Sequence, residues 1–142
     1  AAPLPLAASC RLPPVRPRDF GVKLLRHVMP IGAGDRWEGV ELHGAGRPCP
    51  ADPGAHVSAP CRRVTEEKLD AVYRRLIDEK FCSLQRKSPP GYLSPHYGFR
   101  GVTVFSGRDR FEVSDSSGEQ LDEGSNRRFY AVVGAILEAA QP

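Results

Sequence analysis

The sequence predicts an α+β fold of order ββαββα, with a four-stranded antiparallel sheet, two helices on one face and a Pro-rich N-terminal arm. Three observations predict it. The stretches 20–42 and 99–114 carry apolar residues at alternating positions on either side of a Gly-containing turn, the pattern of a half-buried hairpin. The stretches 65–82 and 125–137 carry them at the i, i+3, i+4, i+7 spacing of an amphipathic helix. Each hairpin precedes one helix, so the two hairpins can form one sheet whose apolar face both helices cover. The chain has 142 residues, the size of one domain. It divides into an arm over 1–18 and a single α+β domain over 19–142.

The arm comes first. Pro13, Pro14 and Pro17 alternate there with Arg11, Arg16 and Arg18. Proline fixes φ and removes an amide donor, so the stretch is neither helix nor central strand. It reads as an extended leader or linker, ahead of a basic tether for an anionic surface. Residues 20–29 form the first strand, with Phe20, Val22 and Leu24 on one face and Lys23 interrupting the other. A Gly-rich turn over 30–35 leads to a second strand, where Trp37, Gly39 and Glu41 alternate with Glu38, Val40 and Leu42. Residues 43–61 are a long loop, unusual in a compact domain unless it is functional or stapled.

Thr65 caps the first helix, and Glu66 and Glu67 complement its dipole. Its stripe is Leu69, Val72, Tyr73, Leu76 and Ile77, extended by Phe81. A second long loop, 83–98, leads to strands over 99–105 and 110–114, with Phe111 and Val113 pointing inward. The last helix is capped by Ser125 and buries Phe129, Val132, Val133, Ile136 and Leu137. Gly134 costs that helix about 1 kcal/mol against Ala, which suggests close packing there.

Composition bounds the compartment and the partners. The formal net charge is +3, too mild for a concentrated nucleic-acid face. No run of about 18 apolar residues exists to make a transmembrane segment. The chain has four cysteines among 14 prolines and 14 glycines, which fits disulfides in an oxidising compartment. Three pairings are open; the preferred one joins Cys49 to Cys61, closing the long loop, and Cys10 to Cys82. Ala1-Ala2-Pro3 reads as the stub of a removed secretory leader. Ala7-Ala8-Ser9-Cys10 also resembles a bacterial lipobox with Ala7 in place of the usual Leu, which would make Cys10 a lipidated residue. The expected localisation is therefore secreted or periplasmic, with a lipid-anchored form as an alternative.

Chemistry-bearing constellations are sparse. His43, Cys49, His56 and Cys61 are zinc-ligand types in one loop, but without tight Cys-x₂-Cys pairs. A disulfide with two exposed histidines is the plainer expectation, with no metal and no cofactor. Cys82 lies at the end of a helix, the wrong end to stabilise a thiolate nucleophile. Asp115, Glu119, Asp122 and Glu123 lack the alternation of a calcium loop and read as a solvated turn. Gly32 and Gly34 precede no helix that could cradle phosphate. The Pro-restricted stretch 89–97 carries Tyr92, His96 and Tyr97, rings that offer contact area at low entropic cost. With Trp37 as a further anchor, these four are the candidate partner-binding residues.

The stretch from Phe20 to Leu137 resembles emfourin-like small secreted proteins, some of which inhibit bacterial metalloproteases. The resemblance rests on element order and on Arg63-Val64-Thr65-Glu66-Glu67 leading into the first helix. The cysteines, the arm and the long loops depart from that pattern. The resemblance implies a non-enzymatic protein-binding module, with an extracellular protease as one partner. The competing expectation is a small envelope enzyme using His43, His56 or His96 with a loop carboxylate. The absence of a paired acid/base motif favours the module.

Overall fold

A computed structural model describes residues 4–5, 10–28, 36–50, 57–86, 99–116 and 121–142. Strand β1 is Leu4–Pro5. Strands β2 (Gly21–Val28) and β3 (Arg36–His43) follow, then two short strands, β4 (Val57–Ser58) and β5 (Cys61–Arg63). Helix α1 spans Glu66–Asp78 and runs into a 3-10 turn over Phe81–Ser83. Strand β6 (Gln85–Arg86), the long strands β7 (Phe99–Ser106) and β8 (Asp109–Ser116), and helix α2 (Glu123–Ala139) complete the order.

The fold is α+β, and the main sheet runs β3-β2-β7-β8 through antiparallel pairs. The two hairpins join through their first strands, with Val22 opposite both Leu42 and Val104. The expected all-antiparallel sheet needs correction. Both β4 and β5 pair with the outer edge of β3 in parallel register, so the sheet is mixed. Two- and three-residue strands between prolines have no periodicity of their own; pairing with β3 defines them. A separate ribbon pairs β1 with β6.

One sheet face presents Val22, Leu24, Val40, Leu42, Val102, Val104, Phe111 and Val113 to both helices. Helix α1 answers with Leu69, Val72, Tyr73 and Leu76, and α2 with Phe129, Val132, Val133 and Ile136. The Phe20 and Tyr73 rings meet edge to face at 5.1 Å. Ile77 and Leu137, expected in the stripes, lie at their margins and are 36 % and 51 % exposed. Thr65 caps α1 as expected, accepting from the Lys68 amide at 3.2 Å. Helix α2 begins earlier than expected: Asp122, not Ser125, is its cap and accepts from the Ser125 amide at 2.8 Å. Gly134 marks no close approach, because a Cβ there would meet nothing within 4 Å. Gly39 does mark one: a Cβ would fall 1.8 Å from the carbonyl oxygen of Leu24 on the neighbouring strand β2.

The described part of the arm is packed rather than free. Cys10 is bonded to Cys82, and Arg16 pairs with Glu66 and, at 2.7 Å, with Asp70 of α1. The Tyr73 hydroxyl donates to the Pro13 carbonyl. The second disulfide joins Cys49 and Cys61. A sulfur bonded to Cys82 cannot also carry a thioether lipid, so a lipid anchor at Cys10 does not fit this structure. Among the described residues, no helix is long and apolar enough to cross a membrane.

Candidate functional site: a basic cleft on the helix-free sheet face

The sheet face turned away from the helices is polar. Strand alternation places Lys23 of β2, Glu41 and His43 of β3, Thr103 and Phe105 of β7, and Arg110 and Glu112 of β8 on it. Register then sets the neighbours. Lys23 lies between Glu41 and Thr103, Thr103 lies opposite Glu112, and Phe105 lies opposite Arg110. Gly21 lies between His43 and Phe105. A Cβ at Gly21 would come within 3.0 Å of the His43 ring, so the absent side chain leaves the imidazole its place.

Glu41 and His43 are two residues apart on one strand and so share this face. They are 6 % and 3 % exposed. Glu41 Oε2 lies 2.7 Å from His43 Nε2, and its Oε1 lies 3.9 Å from Lys23 Nζ. The His43–Glu41 contact is short but off the ring N–H direction, so Nε2 has no aligned hydrogen bond. On the other side of the ring, Nδ1 is 3.3 Å from both the Arg47 and Pro48 carbonyl oxygens. Both ring nitrogens thus face oxygen acceptors. Thr103 Oγ1 donates to Glu112 Oε2 at 3.1 Å, which satisfies the next polar pair along the face.

Two arginines frame the apolar part. The guanidinium carbons of Arg47 and Arg110 lie 5.1 Å and 5.5 Å from the Phe105 ring centroid, within cation–π range. Arg47 is anchored, donating to the Asp19 and Gly107 carbonyls at 3.3 Å and 3.2 Å. Arg110 is exposed. Above them the Cys49–Cys61 disulfide and its flanking prolines form one wall of a cleft of about 760 Å³. Three fixed cations, Lys23, Arg47 and Arg110, line it against one carboxylate, Glu41.

The candidate residues fare unevenly. Trp37 belongs to β3, opposite His27 and toward the far end of the strand from His43. Tyr92, His96, Tyr97 and His56 lie outside the described residues. His43 was expected to be an exposed loop residue; it is the buried last residue of β3. Sequence reading missed Lys23, Glu41, Arg47, Phe105 and Arg110 as a group. The available signal was Lys23 and Glu41 on the non-core positions of neighbouring strands. Compared with protein families, curated proteins and solved structures, the chain matches none of them.

Proposed function

We propose that this chain is an extracytoplasmic, non-enzymatic protein-binding module that meets its partner on the helix-free face of its sheet. The observation that carries the reading is the cleft in which Arg47 and Arg110 flank Phe105 between Lys23 and a disulfide-closed wall. Arginine and aromatic side chains that are already held in place lose little entropy on binding and dominate interface energetics. Phe105 and Arg110 stand on strands, and Arg47 is anchored by its bonds to the Asp19 and Gly107 carbonyls. Two disulfides support an oxidising compartment. The cations favour an acidic patch on the partner. A secreted protease is the partner implied by the resemblance to emfourin-like proteins, and inhibition would follow from occlusion of its cleft.

The test is capture from a secreted proteome by the immobilised disulfide-bonded protein, with recovered proteases assayed at equimolar inhibitor. A stoichiometric partner is expected, lost when Arg110 is replaced by Glu while the thermal midpoint holds. Recovery unchanged by that reversal would remove the cleft from the interface.

One observation favours a second reading, a small enzyme. Glu41 lies 2.7 Å from a buried imidazole inside a cleft large enough for a small substrate. Turnover of any substrate by the purified chain, abolished by His43→Gln, would favour that reading over the module.

A further inference from the structure

The wall of the cleft holds a second chemistry, independent of any protein partner. One ring nitrogen of His43 and the sulfurs of Cys49 and Cys61 all lie within 4.8 Å of one another. Two of these residues are on adjoining strands. Cys61 opens β5, whose parallel pairing sets it beside Glu41, and His43 ends β3. Cys49 stands exposed on the loop between them. We infer that reduction of the Cys49–Cys61 disulfide converts this corner into a binding site for a thiophilic divalent cation of the zinc class, held by both thiolates and His43.

The argument is one of donor type and spacing. Tetrahedral zinc at about 2.3 Å from sulfur and about 2.0 Å from nitrogen needs donors roughly 3.5–3.8 Å apart. The imidazole nitrogen lies within 4.8 Å of both sulfurs, and reduction frees the two sulfurs, bonded to each other in the disulfide, to part to the spacing zinc needs. His43 is 3 % exposed, and its Nε2 has no aligned hydrogen-bond partner. The imidazole is held in place by packing against Gly21 and Phe105 and by its Nδ1 contacts to the Arg47 and Pro48 carbonyls, while Nε2 keeps no aligned partner. Three protein donors leave a fourth position for water or for a donor reaching in from the cleft. With the disulfide intact the sulfurs are bonded to each other and carry no thiolate charge, so the oxidised chain does not bind. Redox state therefore gates the site.

The chemistry balances with an added phosphine as the reductant. The phosphine attacks one sulfur and the S–S bond breaks. Water then delivers its oxygen to phosphorus and its two protons to the sulfurs. The phosphine ends as its oxide and the protein as a dithiol. Zinc binding displaces the two thiol protons to solvent.

The experiment uses the full chain, oxidised or reduced with a water-soluble phosphine and desalted under anaerobic conditions. Zinc is titrated in competition with a chromophoric chelator, and thiol alkylation is followed site by site by mass spectrometry. The reduced chain should take up one zinc per molecule, and the oxidised chain none. Bound zinc should slow alkylation of Cys49 and Cys61 while Cys10 and Cys82 keep their zinc-free rates. Stoichiometric uptake should be lost in Cys49→Ser/Cys61→Ser and in His43→Gln, and kept in Cys10→Ser/Cys82→Ser. No uptake by the reduced wild-type chain, folded or unfolded, overturns the site. Uptake that protects all four thiols alike, or that survives His43→Gln, overturns the ligand set.

Discussion

Glu41 shows how a single side chain organises the helix-free face. A carboxylate 6 % exposed in mid-sheet loses most of its hydration, a cost of several kcal/mol unless it is paired. Two partners meet it, His43 at 2.7 Å and Lys23 at 3.9 Å, and each is itself largely buried. The trio stands or falls together. Replacing Glu41 with Ala leaves the Lys23 ammonium and the buried His43 ring facing a void. Removing one partner of a buried pair typically costs about 3–5 kcal/mol. Urea unfolding of Glu41→Ala at neutral pH should therefore show a midpoint well below wild type with an unchanged slope. A loss under about 1 kcal/mol, the range of exposed pairs, would mean that the carboxylate is solvated and the face looser than described.

At the scale of elements, the N-terminal ends of both helices respond to acid. The Asp122 carboxyl is held below its ordinary range, first by the Ser125 amide and then by the Ser125 hydroxyl. Glu66 is lowered first by Arg16 and then by the Ala45 amide. A carboxyl depressed in the folded state contributes stability that is present above its unfolded value, near pH 4. That contribution fades as pH falls through the lower, folded value. Asp122→Asn keeps a capping oxygen but cannot titrate. It should match wild type at pH 7 within a few tenths of a kcal/mol and lose less stability between pH 5 and pH 2 than wild type does. Equal acid slopes for the two proteins would show that the cap carries no proton linkage. The helices were legible because their stripes are local: Leu69, Val72, Tyr73 and Leu76 report a period within one segment. The same holds for the hairpins, each written in the alternation of its own strands. The parallel strands β4 and β5 were not legible, since only β3 makes them strands. The cleft was hidden for a related reason. It needs the register of β2, β3, β7 and β8 together with the return of the loop that carries Arg47. No single stretch encodes that combination.

For the molecule as a whole, the two disulfides have different reach. Cys49 and Cys61 are 12 residues apart and close one loop beside the cleft. Cys10 and Cys82 are 72 apart and tie the arm to the far end of α1. Along that path Arg16 grips Glu66 and Asp70, and Tyr73 donates to Pro13, so the arm's residues 10–16 form a strap across the helix. In the chain-entropy picture the short loop restrains the unfolded state by about 3 kcal/mol and the long one by about 4 kcal/mol. Strap contacts made by the arm add to the second value but not to the first. Paired Cys→Ala variants should therefore separate in thermal unfolding, with Cys10→Ala/Cys82→Ala melting lower than Cys49→Ala/Cys61→Ala. Limited trypsin digestion under native conditions supplies a readout that global stability does not move. Cleavage after the exposed Arg11 should accelerate when Cys10 and Cys82 are replaced and stay at the wild-type rate when Cys49 and Cys61 are. Equal cleavage rates in the two variants would mean that the ion pairs to α1 hold the strap without its covalent end.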